Sequence, residues 1–415
     1  MQLSETNKKL LSNFFSLAIL RGSTYILPLI TLPYLVRVLG VEKFGLVMFA
    51  QAFVMFFNIL VDYGFNLTAT RNISIHKSNR EKVSEIFHSI YAIKIGLIIV
   101  SFLIMNIIVF SFARFSGEWQ LYYVTFGLVI GQAIFPTWFF QGMEKMKFIT
   151  YLTIISRVVF TLLIFVVVKE ESDYMLVPIV NALGMLVAGI LSMVLVYRNF
   201  MIPFVVPTIT QVVMELKEGF HIFIASFQSS VLANGGIFVL GLFQDDATVG
   251  YYAAIEKLAK GILGLFSPIT QTLYPHISHA LHESREKGVR LIIRYAKVVL
   301  SFTLFVVSLM IMLDTQIVRF VLGAEVVEYS YLLQLFSIWI FLGILNNFIG
   351  IQYLTALGQS KVYAKAFTIA AIVTLAIFVL FSRLFSLNAI MAGMIIGELF
   401  LTIFMIRNIK SQRLI

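Results

Sequence analysis

The segment IFHSIYAIKIGLIIVSFLIMNIIVFSF, residues 86–112, is apolar along nearly its whole length and contains one lysine, Lys94. A helix of about 20 apolar residues crosses the hydrocarbon layer of a bilayer, so this run predicts a transmembrane helix. Comparable apolar segments follow one another along the rest of the chain. They predict an all-α polytopic membrane protein with about 12 transmembrane helices, at 11–36, 44–66, 86–112, 120–141, 149–168, 176–197, 218–242, 249–275, 291–313, 331–356, 362–382 and 387–406.

The composition excludes most classes of soluble protein. Of the 415 residues, 60 % are hydrophobic and 13 % are charged, whereas about a quarter of the residues of a soluble domain are charged. Because the chain has no cysteine, disulfides, thiolate metal sites and a cysteine nucleophile are excluded. The net charge of +10 is explained by basic loops at one face of the membrane, so no nucleic-acid partner is expected.

The distribution of basic residues predicts the orientation in the membrane. If the N-terminus is cytoplasmic, the cytoplasmic loops and termini hold eighteen Lys and Arg residues and the outer loops hold six. This bias, with an even number of helices, predicts that both termini are cytoplasmic. The first residues, MQLSETNKKLLSNFF (1–15), lack the pattern of a signal peptide. No connection exceeds about twenty residues, which leaves no room for a soluble catalytic domain, and we expect no enzymatic activity.

The two halves of the chain resemble each other. ISIHKSNREK (73–82) matches ISHALHESREK (277–287), and Gly45 in LGVEKFGLVMFA matches Gly250 in LGLFQDDATVGYYAA, 205 residues later. An even number of helices in each repeat implies that the repeats are parallel, related by an axis along the membrane normal. The sequence therefore predicts two six-helix lobes, 1–205 and 206–415.

Three segments carry a resemblance to a known family: LPYLVRVLGVEKFGLV (32–47), DYGFNLTATRNIS (62–74) and PTWFFQGMEKMKF (136–148). With the chain length and the six-plus-six repeat, they resemble the polysaccharide transporters of the multidrug/oligosaccharidyl-lipid/polysaccharide exporter superfamily, and within it the Wzx-type O-antigen flippases. The resemblance implies two lobes around a central cavity that opens alternately to the cytoplasm and the periplasm. It also implies an undecaprenyl-pyrophosphate-linked oligosaccharide as substrate, carried across the bacterial inner membrane.

The resemblance further implies partners in the membrane. We expect contacts with membrane lipids and cooperation with glycosyltransferases and a polysaccharide polymerase. We expect the chain to act as a monomer.

Ionisable residues inside the membrane segments are candidates for function because each is costly to bury in lipid. Seven bases and three acids lie there, a difference of four positive charges. Such a surplus suits a water-filled cavity that receives an anion. The bases are Arg21, Lys94, Arg157, Lys257, Lys260, Arg294 and Lys297, and the acids are Asp62, Glu256 and Glu398.

Depth and side-chain chemistry rank the bases as ligands for a pyrophosphate. Arg21 and Arg157 lie roughly 14 Å inside their helices at 1.5 Å per residue, and a guanidinium group binds phosphate oxygens in a bidentate manner. Lys94 and Lys297 follow. Lys257 joins them because, unlike Lys260, it has no acid four residues away on its helix. These five are the predicted substrate-binding residues.

Arg294 is about one turn deep and is expected to reach back to the lipid headgroups.

The three buried acids are candidates for coupling transport to a proton or sodium ion. Glu398 lies near the middle of the last helix, where it binds a proton or pairs with a base on a neighbouring helix. Asp62 stands in a DYG sequence that indicates a helix end, and Glu256 is placed to neutralise Lys260. No resident cofactor is expected. The histidines of HISHALH (276–282) lack a carboxylate or fourth ligand, so no metal site is predicted.

Two other functions compete with the flippase. An exporter of drugs or of a peptidoglycan precursor shares the superfamily, but cationic drugs require buried acids, and bases exceed acids here. A membrane glycan polymerase or ligase requires a large outer loop with catalytic groups, whereas the longest outer loop, near 314–330, is short and mostly apolar.

Overall fold

The computed structural model describes residues 5–411, and the side chains of residues 26–411 except that of residue 268. These residues form helices and connections, with no strand among them. The α-helices are α1 Glu5–Asp62, α2 Phe65–His76, α3 Arg80–Ser111, α4 Ala113–Ser116, α5 Trp119–Ile134, α6 Thr137–Gly142, α7 Met146–Val167, α8 Leu176–Phe200, α9 Ile209–Phe243, α10 Asp246–Gly264, α11 Ser267–Glu283, α12 Arg285–Met312, α13 Asp314–Val321, α14 Tyr331–Asn346 and α15 Ser360–Ser411. Glu171–Met175 and Ala324–Tyr329 are 3₁₀-helices, and Asn347–Thr355 is a π-helix.

The two longest helices each contain one break that divides them into two membrane spans. In α1 the break is at Gly40 (φ 69°), a backbone conformation that glycine adopts without steric cost. In α15 it is at Ser386 (φ 48°). Nine helical stretches in the described residues are long and apolar enough to cross a membrane, and two of them contain these breaks. Counting the divided helices twice and adding the consecutive pair α10–α11 gives twelve spans within residues 5–411, as the sequence predicts.

Some predicted boundaries are wrong for identifiable reasons. The predicted loop near 67–85 contains α2, because Phe65, Ala69 and Ile73 recur every four residues and are all fully buried. The predicted helix 120–141 ends at Ile134 and resumes as α6 after Pro136, whose nitrogen has no hydrogen to donate.

The predicted helix 249–275 is likewise two helices, α10 and α11. The predicted helix at 218–242 begins nine residues earlier, at Ile209.

Helix α3 shows how one span meets both lipid and protein. Ile95, Ile99, Leu103 and Ile107 follow one another at four-residue spacing and are 56–66 % exposed, which places them on one face of the helix. An exposed apolar face of this length requires lipid as its solvent. Lys94 of the same helix is 3 % exposed, so the charge is directed away from the lipid face.

The chain folds into two compact units: Met1–Leu27 with Val47–Asn234, and Pro28–Leu46 with Gly235–Ile415. The predicted boundary at 205/206 remains a prediction. The first unit has an aromatic core in which Phe87, Trp138 and Phe139 are fully buried. The ring centroids of Phe87 and Trp138 are 5.6 Å apart.

In the second unit, the two repeat-related glycines lie at a close approach between α1 and α10. A Cβ on Gly250 would lie 2.0 Å from the carbonyl oxygen of Val41, and a Cβ on Gly45 would lie 2.5 Å from the backbone nitrogen of Gly250. Small residues let two membrane helices approach closely. Gly45 and Gly250 therefore lie where the second half of α1 closely approaches α10.

Candidate functional site

Lys94 and Asp62 form an ion pair inside the first unit. The Nζ atom of Lys94 lies 3.6 Å from Oδ1 of Asp62, with side-chain exposures of 3 % and 28 %. Asp62 ends α1, and the chain turns through Tyr63 (φ 49°) and Gly64 (φ 82°) before α2 begins. This turn lets the Asn66 amide donate a hydrogen bond of 2.8 Å to the same Asp62 oxygen. The helix end predicted from the DYG sequence is present.

A cavity of about 190 Å³ opens beside this pair. Every residue that lines it belongs to the first unit. Its polar lining is Asn58, Asp62, Asn66, Lys94, Gln132, Thr137 and Ser226. Membrane helices rarely carry so many polar groups toward one point, so this pocket is a candidate functional site.

Several polar groups of the pocket keep hydrogen-bonding capacity. The side chains of Asn58, Gln132 and Ser226 line it, and none of them hydrogen-bonds to another residue that the structure describes. All three are half-buried, and polar groups inside proteins are generally hydrogen-bonded to protein, water or ligand. The pocket is therefore suited to hold water or a polar ligand.

A second charged group lies on α10 in the other unit. Lys260 Nζ is 3.1 Å from Glu256 Oε2, the i, i+4 pair that the sequence predicts. Tyr252 donates a 3.1 Å hydrogen bond to the other oxygen of Glu256. The third charge, Lys257, places its Nζ 5.5 Å from the centroid of the Phe44 ring, a cation–π contact. This group therefore carries one more base than acid.

Glu398 is held by a polar network between α14 and α15. The side-chain amide nitrogen of Asn346 donates a hydrogen bond of 2.7 Å to Oε2 of Glu398. The side-chain oxygen Oδ1 of Asn346 accepts a hydrogen bond of 2.7 Å from the hydroxyl of Thr402. Asn346 directly precedes the π-helix Asn347–Thr355. Widened helical turns of this kind are frequent at functional sites.

The other predicted residues are placed as follows. Arg157 is half-buried on α7, and Lys297 is exposed on α12. The side chain of Arg21 lies outside the described residues. The structure thus brings Lys94 together with Asp62 and Glu256 together with Lys260. The described residues contain no group of three or more His, Asp or Glu side chains that could hold a metal ion.

Sequence reasoning missed the uncharged half of the pocket. Asn58, Asp62 and Asn66 recur every four residues in an apolar stretch, and this stripe was a detectable signal. Gln132 and Ser226 come from helices that are far apart in the chain, so no local spacing joins them. Asn346 and Thr402 were missed because a partner for Glu398 was sought among bases.

Together the spans, the buried ion pairs and the polar pocket define a multi-pass α-helical membrane protein with a site inside one helical unit. The polysaccharide biosynthesis protein family matches residues 10–281. The chain belongs to this family, which confirms the resemblance drawn from the three sequence segments.

Two curated relatives carry the name "Putative O-antigen transporter". The one from Escherichia coli (strain K12) is 32 % identical over 412 residues, 99 % of both chains. The one from Shigella dysenteriae is 27 % identical over 403 residues, 96 % of this chain and 99 % of the relative.

Solved structures with the same fold are membrane transporters. An inward-facing multidrug resistance transporter of the MATE family, in the MOP superfamily, aligns with a TM-score of 0.66 at 15 % identity, over 93 % of this chain and 95 % of its own. The lipid II flippase MurJ in an inward closed conformation aligns with a TM-score of 0.59 at 15 % identity, over 88 % of this chain and 87 % of its own. At this identity the likeness establishes the fold alone.

Proposed function

We propose that the protein is a flippase for undecaprenyl-pyrophosphate-linked O-antigen or polysaccharide repeat units in the bacterial inner membrane. The family match and the 32 % identical relative named as an O-antigen transporter support this substrate class. Under this proposal the protein is a transporter and not an enzyme, and both termini lie in the cytoplasm, as the basic loops predict.

The observation that carries the proposal is the surplus of bases in the membrane segments. Of the ten ionisable candidates named from the sequence, nine have described side chains, six bases and three acids, a difference of three positive charges. Two of the acids, Asp62 and Glu256, are already paired with lysines. A pyrophosphate carries the negative charge that such a surplus can bind.

The cost of moving a charged headgroup through the hydrocarbon layer explains why the transport requires a protein. The polyprenyl chain is stable in the hydrocarbon layer, since each buried CH₂ group contributes about 0.8 kcal/mol. The pyrophosphate cannot cross that layer unaided, because transferring an ionised group into a medium of low dielectric costs tens of kcal/mol by Born solvation. A polar path lined by cations lowers this cost while the lipid tail stays in the membrane.

We assign the pyrophosphate to the cationic side chains. Arg157, with its planar fork of donors, is the first of these among the described residues, and Arg21 is its predicted counterpart. Lys257 and Lys297 add charge without bidentate geometry. Alternating access, in which the substrate site opens first to the cytoplasm and then to the periplasm, completes the proposed mechanism.

We further propose that Glu398 couples transport to a proton or sodium ion. Its carboxylate has an uncharged amide, Asn346, as its hydrogen-bond donor at 2.7 Å, so gain of a proton leaves no unpaired base behind. Asp62 and Glu256 are weaker candidates for coupling because each already has a lysine partner.

Complementation of a flippase-null strain tests the proposal, with surface O-antigen as the readout. The full chain should restore display, Arg157→Ala and Arg21→Ala should abolish it, and Arg157→Lys should retain part of it because the charge survives. Arg294→Ala is the matched control: Arg294 is exposed on α12 and is expected to face the headgroups, so display should stay at the wild-type level. Failure of the wild-type chain with a panel of defined O-antigen clusters, or full activity of Arg157→Ala, would contradict it.

A further inference from the structure

The pocket beside Lys94 and Asp62 differs from an anion site in its charge. These two residues are the charged groups in its lining, and they have opposite sign. The pocket is therefore neutral overall. An anion would bring one uncompensated negative charge into it, and a metal cation would meet the Lys94 ammonium 3.6 Å from the carboxylate it would need.

The unpaired groups of the pocket suit a ligand rich in hydroxyls. Asn58 and Gln132 each offer an amide that both donates and accepts, and Ser226 offers a hydroxyl that does the same. Adjacent hydroxyls of a sugar ring present donors and acceptors in alternation. Each amide can therefore bind two neighbouring sugar hydroxyls without a net change in charge.

Apolar residues also line the pocket. Phe135, which is 5 % exposed, and Met185 line it together with aliphatic groups. A pyranose ring has C–H groups on its faces and hydroxyls around its edge, so it suits a pocket lined by both apolar and polar residues.

Its size selects a single ring. The cavity of about 190 Å³ corresponds to roughly six waters at ~30 Å³ each, the bulk of one pyranose with its substituents. Sites for drug-sized ligands enclose about 300–1,000 Å³. An oligosaccharide is too large to enter whole.

We propose that this pocket binds one neutral sugar residue of the glycan, a hexose or an N-acetylhexosamine, and thereby selects which glycan is carried. The inference rests on the proposed flippase function and assigns Lys94 to the glycan end of the substrate. The pyrophosphate remains assigned to the cations outside this pocket, as proposed above.

Because the chain has no cysteine, a single introduced thiol can report on the pocket directly. Ser226→Cys places a single thiol in the pocket, and Ser229→Cys places one at an exposed position one turn along α9, as the matched control. Both full-length variants are labelled in membrane vesicles with methyl methanethiosulfonate. The labelling is repeated with glucose, galactose, N-acetylglucosamine or N-acetylgalactosamine, and with glucuronate or inorganic pyrophosphate.

At least one neutral sugar should slow labelling of Ser226→Cys by about twofold or more, the protection that half-occupancy gives by mass action. Ser229→Cys should be unaffected, and glucuronate and pyrophosphate should not protect. Unchanged labelling with all four neutral sugars overturns the inference, as does equal protection by pyrophosphate.

A transport measurement separates this inference from the proposed function. If the wild-type chain restores surface glycan, Asn58→Leu and Gln132→Leu should reduce display by roughly tenfold, the factor that about one hydrogen bond contributes. Display at the wild-type level by both variants overturns the sugar pocket and leaves the flippase proposal standing. Failure of the wild-type chain contradicts the flippase, whereas the labelling test reports on the sugar pocket by itself.

Discussion

Among the described residues, two lysine–carboxylate pairs lie in the predicted membrane segments, and they are built in different ways. Lys94 and Asp62 come from different helices, α3 and α1, and meet at 3.6 Å beside a polar pocket. Glu256 and Lys260 lie on one helix at i, i+4 and meet at 3.1 Å. A pair on one helix depends on local spacing alone, whereas a pair between helices depends on the packing of the whole unit.

The two sites also differ in net charge. Lys94 is fully matched by Asp62, so the charge of that site sums to zero. On α10 the pairing of Glu256 with Lys260 leaves Lys257 beside the ring of Phe44. We infer that the first site suits the neutral part of a substrate and that the second contributes to binding its anionic part.

Breaking the pair between α1 and α3 should give the largest effect on stability. Asp62→Asn leaves the ammonium of Lys94, 3 % exposed, without its counter-charge, and should lower the free energy of unfolding by ~3 kcal/mol. Lys94→Met leaves Asp62, 28 % exposed, still partly hydrated and should cost only about 1–2 kcal/mol. Thermal unfolding of the purified protein in detergent compares the two.

The double variant Lys94→Met with Asp62→Asn is the control for this comparison. It leaves neither charge, so its cost should be clearly less than the sum of the two single costs. Additive costs would show that the two charges do not stabilise each other. A larger cost for Lys94→Met than for Asp62→Asn would contradict the expected order of the two variants.

Removing the extra charge on α10 should impair transport more than folding. Lys257→Met keeps the bulk of the side chain and loses a cation–π contact of about 0.5–1 kcal/mol, so the unfolding temperature should change little. Surface glycan should fall roughly tenfold, because one charge-assisted contact to the substrate is lost. Lys257→Arg, which keeps the charge, is the matched variant and should retain most of the display; equal loss in both variants would argue that shape and not charge matters there.

The sequence was sufficient to predict the elements that depend on hydrophobic length. The twelve spans, the i, i+4 pair of Glu256 with Lys260, and the helix end at Asp62 all follow from local patterns, and the structure contains each of them. The break at Ser386 has no such signal, because a serine with positive φ is held by its surroundings and not by its own preference.

The pocket could be predicted only in part. The stripe of Asn58, Asp62 and Asn66 is visible in the chain, but their relation to Gln132 and Ser226 depends on how α1, α5 and α9 pack. Lys94 was predictable as a site residue because an ammonium group inside a membrane helix is costly. An amide in a membrane helix is less costly and therefore less conspicuous, although amides form much of the polar lining.

Replacing a carboxylate that has an uncharged partner should affect transport selectively. In Glu398→Gln the new amide oxygen can still accept from Asn346, so stability should change by less than about 1 kcal/mol. If Glu398 carries the coupled proton, the dependence of transport on pH in vesicles should be flattened, because glutamine does not titrate. A pH profile identical to that of the wild type would exclude Glu398 as the proton site.

Asp314 lies outside the membrane spans and has uncharged hydrogen-bond donors where Asp62 has a lysine. Burial raises the pKa of Asp314, but hydrogen bonds from the Thr315 backbone at 2.6 Å and from Gln334 at 2.9 Å outweigh it and hold the pKa below its ordinary value. A lowered pKa in the folded state means that ionised Asp314 stabilises the protein above its unfolded pKa of about 3.9.

This stability should be lost as the pH falls through the lower folded pKa. Asp314→Asn should therefore cost about 1 kcal/mol near neutral pH, and its difference from the wild type should shrink as the solution is acidified below about pH 4. Unfolding temperatures measured from neutral pH downward test the sign, and a difference that grows on acidification would refute it. Because its donors carry no charge, added salt should leave the Asp314 contribution unchanged, and this insensitivity separates a carboxylate held by dipoles from one held by an ammonium.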